Sequence, residues 1–439
     1  MGIDLANYIT NSKILKSVKQ MEKNIIAING GLLIDGNGDL PIKNAVVLIE
    51  DSVVKAAGKK EEVKIPNDAD IINAKGKTIM PGMIDAHVHL ASVVGVSPDP
   101  VDAILRTPEP LLLLHAAKHA REMLEAGFTA IRDCVGMKQQ NHDNVFLKCA
   151  IEMDLIPGPR VITCSWVETT GGHGDAELNM IYAWPIRVDS VCADGPWEIR
   201  KRVREAARAG ADQIKTGNSG HYLKFGPMGN SGGLVRSFTK EEFLALVDEA
   251  HVNGMKVMCH SGGSIEAIMQ AIEVGVDTIE HASPLNDEVI QMLVKSKIII
   301  VPTLSIPMRF QKNSARTRAK LAEIGKAHKA GVQIAMGTDT YRNTRDYWGK
   351  NAFELQGYVE AGMTEMEAIV SATKTAAEAL GLENYVGTIE KGKLADIIIV
   401  DGNPLTNIKI LQDKEKILYV IKNGDIVVDR INKGGVLLY

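Results

Sequence analysis

Between Asn24 and Ile79 the apolar positions come in short runs, Ile25–Ile28, Leu32–Ile34, Ala45–Ile49 and Val53–Ala57, separated by Gly-Gly, Gly-Asn-Gly and Glu-Asp-Ser. Short apolar runs broken by turn residues predict a small β-sheet. Ahead of it, Asp4 to Glu22 spaces Ile9, Ile14, Leu15, Val18 and Met21 near helical intervals, which predicts an amphipathic helix within an N-terminal segment, residues 1–23.

After Ile79 the pattern changes. Helical stretches end on a small or β-branched residue and a glycine, and a short apolar run follows. Ala126-Gly127 precedes Phe128–Cys134, Ala209-Gly210 precedes Ala211–Thr216, and Asn253-Gly254 precedes Met255–His260. Val274-Gly275 precedes Val276–His281, and Ala330-Gly331 precedes Val332–Gly337. Glycine just past a helix accepts the left-handed conformation required there, so each pair marks a helix stop. With Met83–Val88, Arg160–Ser165 and Lys297–Val301, this makes about eight strand–helix units, the number that closes a (β/α)8 TIM barrel. An open doubly wound sheet is the alternative, but no Gly-x-Gly-x-x-Gly turn follows any of these runs.

The β-rich pattern returns from Val386 with Ala395–Val400, Ile417–Lys422 and Asp425–Asp429, and Lys422-Asn423-Gly424-Asp425 reads as a hairpin turn. The predicted fold is therefore α/β. A barrel over residues 80–385 is flanked by a β-sandwich module composed of residues 24–79 and 386–439.

The chain has 439 residues, 45% hydrophobic and 24% charged, an ordinary globular composition. A net charge of −4 without a basic block gives no sign of nucleic-acid binding, and 5% aromatics argue against a base-stacking surface. Five cysteines with no CxxC pair suit a reducing compartment. With no apolar run of signal-peptide or membrane-span length, a cytoplasmic location without membrane association is the expectation.

Chemistry enters at Met80-Pro81-Gly82-Met83-Ile84-Asp85-Ala86-His87-Val88-His89-Leu90. On an extended strand His87 and His89 project to one side, half of a metal site. Barrel enzymes carry their chemistry at the C-terminal strand ends. Those positions hold His87 and His89, then Lys215, His260, His281 and Asp339 in later units. Alone, His260 or His281 reads as a hydrogen-bonded core histidine, Lys215 as a surface lysine and Asp339 as a turn aspartate. Their recurrence at equivalent places in independent units is what those readings leave unexplained.

The series resembles the amidohydrolase superfamily, in its imidazolonepropionase-like and prolidase-like branch. The resemblance rests on Pro81–His89, Thr170-Gly171-Gly172-His173-Gly174-Asp175, Gln213-Ile214-Lys215 and Gly275–His281. Val301-Pro302-Thr303-Leu304, Gly337-Thr338-Asp339 and Gly387–Asp396 extend it, so it covers nearly everything from Asn24 onward.

The resemblance implies a centre of two divalent metal ions, zinc being the first expectation. His87, His89 and Asp339 would hold the more buried ion and His260 and His281 the other. Lys215, N-carboxylated with carbon dioxide, would bridge them. A bridging hydroxide would attack the amide, with Asp339 passing its proton to the leaving amine. His173 is implied as a further catalytic or substrate-facing group, and His142, His221 and Tyr222 lie in loops near the same rim. Where some prolidase-like members carry tyrosine this chain has Cys259, read as a packing residue, so Arg309, Tyr341 and Arg342 are the candidates for binding a substrate carboxylate.

The implied activity is hydrolysis of a C–N amide bond in a dipeptide or N-acyl amino acid. Alternatives are an imidazolone- or hydantoin-like ring, a lactone, or a non-catalytic scaffold. The expected partners are that small molecule and further copies of the chain.

Overall fold

The computed structural model describes residues 24–92, 107–134, 143–170, 172–173, 192–219, 236–341, 347–432 and 436–437. The helix expected within residues 1–23 lies outside this range.

The first sheet opens with β1 (Ile25–Leu33), β2 (Ile42–Glu50) and β3 (Val53–Lys59), an antiparallel meander. On its other side β1 takes two short parallel partners that the apolar pattern did not reveal, β4 (Asp70–Asn73) and β5 (Thr78–Pro81). One expectation is corrected here. Gly30-Gly31 is not a turn between two strands but an irregularity inside one continuous strand, with register shifts between Asn29 and Gly31 and between Gly31 and Leu33. A Cβ at Gly31 would come within 2.8 Å of the Ile79 side chain, so the glycine lets β5 approach where a turn was expected.

The barrel strands are β6 (Met83–Val88), β7 (Phe128–Asp133), β8 (Arg160–Trp166) and β9 (Gln213–Gly217). They continue with β10 (Lys256–Gly262), β11 (Thr278–Ser283) and β12 (Ile299–Val301), parallel and in chain order across a seven-stranded sheet. Between them run helices α1 (Glu109–Glu125), α2 (Asp143–Glu152), α3 (Pro196–Ala209), α4 (Lys240–Val252), α5 (Ile265–Val274) and α6 (Asp287–Lys295). Gly210 and Gly275 close α3 and α5 in the left-handed conformation, as the sequence predicts. Strands β6, β7 and β9 are buried along their whole length, the mark of a parallel sheet covered on both faces.

After β12 come α7 (Ser305–Gln311) and α8 (Ala315–Lys329), then the expected eighth strand, Val332–Gly337. No regular strand forms there, yet the segment closes the barrel. Ile300 N–H donates to Gln333 O and Ala335 N–H to Ile300 O, both at 3.0 Å, while Ala86 N–H donates to Met336 O at 2.8 Å on the opposite side. A Cβ at Gly337 would meet Val301 at 2.3 Å and His87 at 2.9 Å. So tight a passage between β12 and β6 pairs only intermittently, and the positive φ of Asp339 (52°) ends the extended run. Helices α9 (Phe353–Glu360), α10 (Glu365–Ser371) and α11 (Lys374–Leu380) follow.

Strands β13 (Ile397–Val400), β14 (Ile417–Lys422), β15 (Asp425–Asp429) and β16 (Val436–Leu437) return to the first sheet. Strand β13 pairs antiparallel with β5, so segments from both chain ends share one nine-stranded sheet. The predicted hairpin forms, with Asn423 (φ 52°) and Gly424 (φ 83°) both left-handed as a two-residue turn requires. Alternation gives β13 two jobs. Ile397 and Ile399 pack with Ile28, Leu33 and Ile79 in the sheet's own core, while Ile398 and Val400 join the large barrel core with Phe128. Among the described residues no helix is long and apolar enough to cross a membrane.

Candidate metal centre

The C-terminal mouth of the barrel collects the predicted ligands. Extended β6 delivers His87 and His89 to the same side, ring centroids 5.4 Å apart, His87 fully buried and His89 partly exposed. Opposite them, Asp339 brings Oδ1 to 3.6 Å from His87 Nε2 and 3.3 Å from His89 Nε2. His281 from β11 and His260 from β10 complete the ring, His281 lying 5.3 Å from His87 and 4.3 Å from His260 between centroids. Donor atoms of His87, His281 and Asp339 all lie within 4.8 Å of one another. Lys215 on β9 is buried, its Nζ 5.7 Å from the Trp166 ring centroid, and no carboxylate pairs with it among the described residues.

The backbone is bent to build this site. Thr278 and Glu280 face the barrel interior by strand alternation, which would turn His281 outward. Left-handed conformations at His281 (φ 67°) and Ala282 (φ 42°) rotate it back, and Thr303 (φ 52°) and Asp339 share the same unusual region. Non-glycine residues so placed cost of order 1–3 kcal/mol each and concentrate at functional sites.

Hydrogen bonds set the imidazole tautomers. His87 Nδ1 lies 2.6 Å from Glu280 Oε2, so that nitrogen carries the proton and Nε2 turns its lone pair toward Asp339. The Thr303 hydroxyl donates to Pro302 O at 2.7 Å, so at its 2.7 Å contact with His281 Nδ1 it must accept. His281 Nε2 is then also a lone pair. Burial, with the Lys215 ammonium second, pushes His87 down to about 4. Burial likewise holds His260 and His281 well below the usual imidazole range, so the three are neutral at pH 7. Burial works to raise the Asp339 carboxyl, but the His89 hydrogen bond and the neighbouring imidazoles keep it well below the ordinary carboxylate range. Neutral imidazoles and an ionised carboxylate converging at one mouth form a donor set that fits divalent zinc, manganese, cobalt or iron.

Residues 78–427 match the amidohydrolase family. The chain belongs to that family. It is 30% identical over 445 residues to ochratoxinase of Aspergillus niger, across 92% of this chain and 87% of that protein. Imidazolonepropionase of Brevibacillus brevis is 24% identical over 409 residues, across 88% of this chain and 91% of that one. The crystal structure of a Xaa-Pro dipeptidase with methionine in its active site matches with a TM-score of 0.80 at 30% identity, covering 92% of this chain and 99% of that chain. The protein is a hydrolase, with relatives that act on amide and peptide bonds.

In this amidohydrolase a cavity of ≈ 350 Å³ opens over the ligands, lined by His173, His260, His281 and Asp339 at its floor. His173 stacks on His260 with centroids 3.7 Å apart, and Tyr341 lies 6.0 Å from the His89 ring. Arg309 is not part of this lining. Its guanidinium stacks over Tyr347 at 3.8 Å and donates to Lys350 O at 3.1 Å, a packing role. His142, His221, Tyr222 and Arg342 lie outside the described residues. Cys259 is buried and its thiol is pushed up to about 12 by burial, which suits the packing reading and not a nucleophile.

The residues that orient these candidate ligands are not among those the sequence predicts. Glu280 is fully buried between His87 and Arg132, whose Nη2 donates to it at 2.8 Å. Arg132 spans the barrel interior to Ala86 O, Gln213 and Thr278 as well. Asp85 accepts hydrogen bonds from His87 N–H, Thr338 and Asn351, tying β6 to the closing segment. The available signal was the period-two placement of Thr278 and Glu280 facing Arg132 in another strand, three polar groups directed into a core. Burial favours a raised Glu280, but Arg132 and the His87 hydrogen bond override it and hold the carboxyl at about 2. Its stabilising contribution is therefore present above the unfolded value of about 4.3 and is lost as pH falls toward 2. Glu280→Gln leaves Arg132 buried without its counter-charge. It should lower unfolding stability by about 3–5 kcal/mol and weaken metal binding by about 10–100-fold, read by urea denaturation and metal titration. Wild-type values in both would reject this role.

Proposed function

We propose that this amidohydrolase hydrolyses the C–N bond of a dipeptide or N-acyl amino acid at a centre of two divalent ions, zinc being the first candidate. The convergence of His87, His281 and Asp339 at the C-terminal mouth of the barrel carries this reading. His87, His89 and Asp339 would hold one ion and His260 and His281 the other. Lys215, as an N-carboxylate formed with carbon dioxide, would serve both. Burial of Lys215 with no carboxylate pairing it among the described residues supports this, because a buried ammonium is costly and its carboxylated form becomes an anion beside cations. The chemistry such ions supply is Lewis-acid polarisation of a carbonyl and acidification of a water.

The protein's own groups carry the protons and the positioning. Asp339, ionised at neutral pH, accepts a proton from the attacking water at a carboxylate oxygen and delivers it to the departing amine nitrogen. Glu280 and Thr303 fix the rings of His87 and His281. His173, on the cavity floor beside His260, is the candidate to hydrogen-bond the substrate near its carbonyl. The free thiols of Cys134, Cys149, Cys164, Cys192 and Cys259 support a reducing, cytoplasmic setting. A homo-oligomeric state remains part of the proposal.

The test is a screen of dipeptides and N-acyl amino acids with the metal-loaded protein, reading release of free amine. Turnover of linear amides is expected. Turnover confined to hydantoin-like rings or lactones would move the reading to ring opening. Inertness toward every substrate, with substoichiometric metal, would make the chain a non-catalytic scaffold.

A further inference from the structure

The cavity has a side that the metal ligands do not explain. Helix α8 sends Arg316 and Lys320, one turn apart, to its lining. Like charges at this spacing repel. Neither makes a salt bridge or side-chain hydrogen bond among the described residues. Three other basic groups of the helix are engaged, and Lys329 is exposed in its last turn: Arg318 donates to Asn313 O at 2.6 Å, Lys326 pairs with Asp287, and His328 lies 3.1 Å from Glu367.

The carboxylates that face Lys320 are committed elsewhere. Glu354 accepts from Leu304 N–H at 2.7 Å and Ser305 N–H at 2.6 Å. Glu323 accepts from the Ser283 hydroxyl at 2.9 Å and Leu285 N–H at 3.2 Å. Asp339 is held among the histidines. Burial lowers Lys320 to about 8, opposed by those carboxylates, so the ammonium stays the main form at pH 7. Beside this cationic side, α7 lines the same cavity with Ile306, Pro307 and Phe310.

We propose that Arg316 and Lys320 form the carboxylate-binding arm of the cavity, selecting amides that carry a free carboxylate and an apolar group. This rests on the amide-hydrolase reading and narrows its substrate class. An anion lying across two cations that have no ionic partner among the described residues relieves their repulsion and gains charge-assisted hydrogen bonds, bidentate from the Arg316 fork. The apolar group lies against α7, and the amide between the arm and the floor of His260, His281 and Asp339.

The test separates binding from turnover. N-(methylsulfonyl)-L-phenylalanine, whose sulfonamide resists amide hydrolysis, and its uncharged carboxamide are titrated calorimetrically into metal-loaded enzyme. The acid should bind about 10–100-fold tighter than the carboxamide, the worth of charge-assisted hydrogen bonds. In Arg316→Met/Lys320→Met the preference should collapse to within about threefold, while Lys320→Arg should retain most of it. Arg316→Met alone, at an exposed position, should lose part of the preference and guards against misfolding of the double variant. Wild type without a preference, or a preference that survives double replacement in folded, metal-loaded protein, overturns the proposal and leaves the hydrolase reading intact. A preference lost as expected, in an enzyme that turns over no amide, supports the arm and overturns the hydrolase reading instead.

Discussion

Asp339→Asn should lower kcat by about 10²–10⁴-fold, the usual worth of general acid–base catalysis, while metal and substrate still bind. Asparagine keeps the shape and one ligating oxygen but cannot take up the proton. The wild-type carboxyl is held well below the ordinary carboxylate range by the His89 hydrogen bond and the adjacent imidazoles, which outweigh its burial. The sign follows. Asp339 is ionised across neutral pH, and any acid limb of kcat/KM due to it lies below about pH 4, the ordinary aspartate value. That limb should be missing from the residual activity of the variant. Near-normal kcat in a metal-loaded variant would move the proton transfer to another group, with His173 the first candidate because it lines the same cavity.

Lys215→Ala should cost a comparable factor for a different reason. If Lys215 serves two ions as an N-carboxylate, its loss would remove part of the charge stabilisation that a two-metal site supplies, worth several kcal/mol. Bicarbonate or a short carboxylic acid, by supplying the missing oxygens, should restore part of the activity. Stability should move the other way. Lys215 is buried with no carboxylate pairing it among the described residues, and replacing buried charged groups by well-packed hydrophobes of similar volume is often neutral or stabilising by about 1–4 kcal/mol. Lys215→Met in metal-depleted protein should therefore keep or raise the urea midpoint while binding less metal. Full activity of Lys215→Ala without additive, at wild-type metal content, would remove this lysine from the centre.

Much of the fold was legible because its signals are local. The predicted strand Met83–Val88 matches β6 at both ends, and the Asn-Gly hairpin between β14 and β15 forms where expected. Local signals failed where a distant neighbour decided the outcome. Gly30-Gly31 is turn-like in sequence but lies within a strand because Ile79 packs against it. The eighth barrel run is apolar and strand-like, yet crowding of Gly337 between Val301 and His87 breaks its pairing. At the site, the convergence of His87, His89, His260, His281 and Asp339 could be read from strand ends. The groups that orient them could not, because Glu280 and Arg132 meet across 148 residues of chain. Nor could local periodicity show that His281 turns inward only through a left-handed backbone.

The central claim is a two-metal centre for C–N hydrolysis, and elemental analysis of the protein saturated with zinc in bicarbonate-containing buffer tests it most directly. Two ions per chain are predicted. A single tightly bound ion at saturation would contradict the binuclear centre and indicate a mononuclear site at His87, His281 and Asp339.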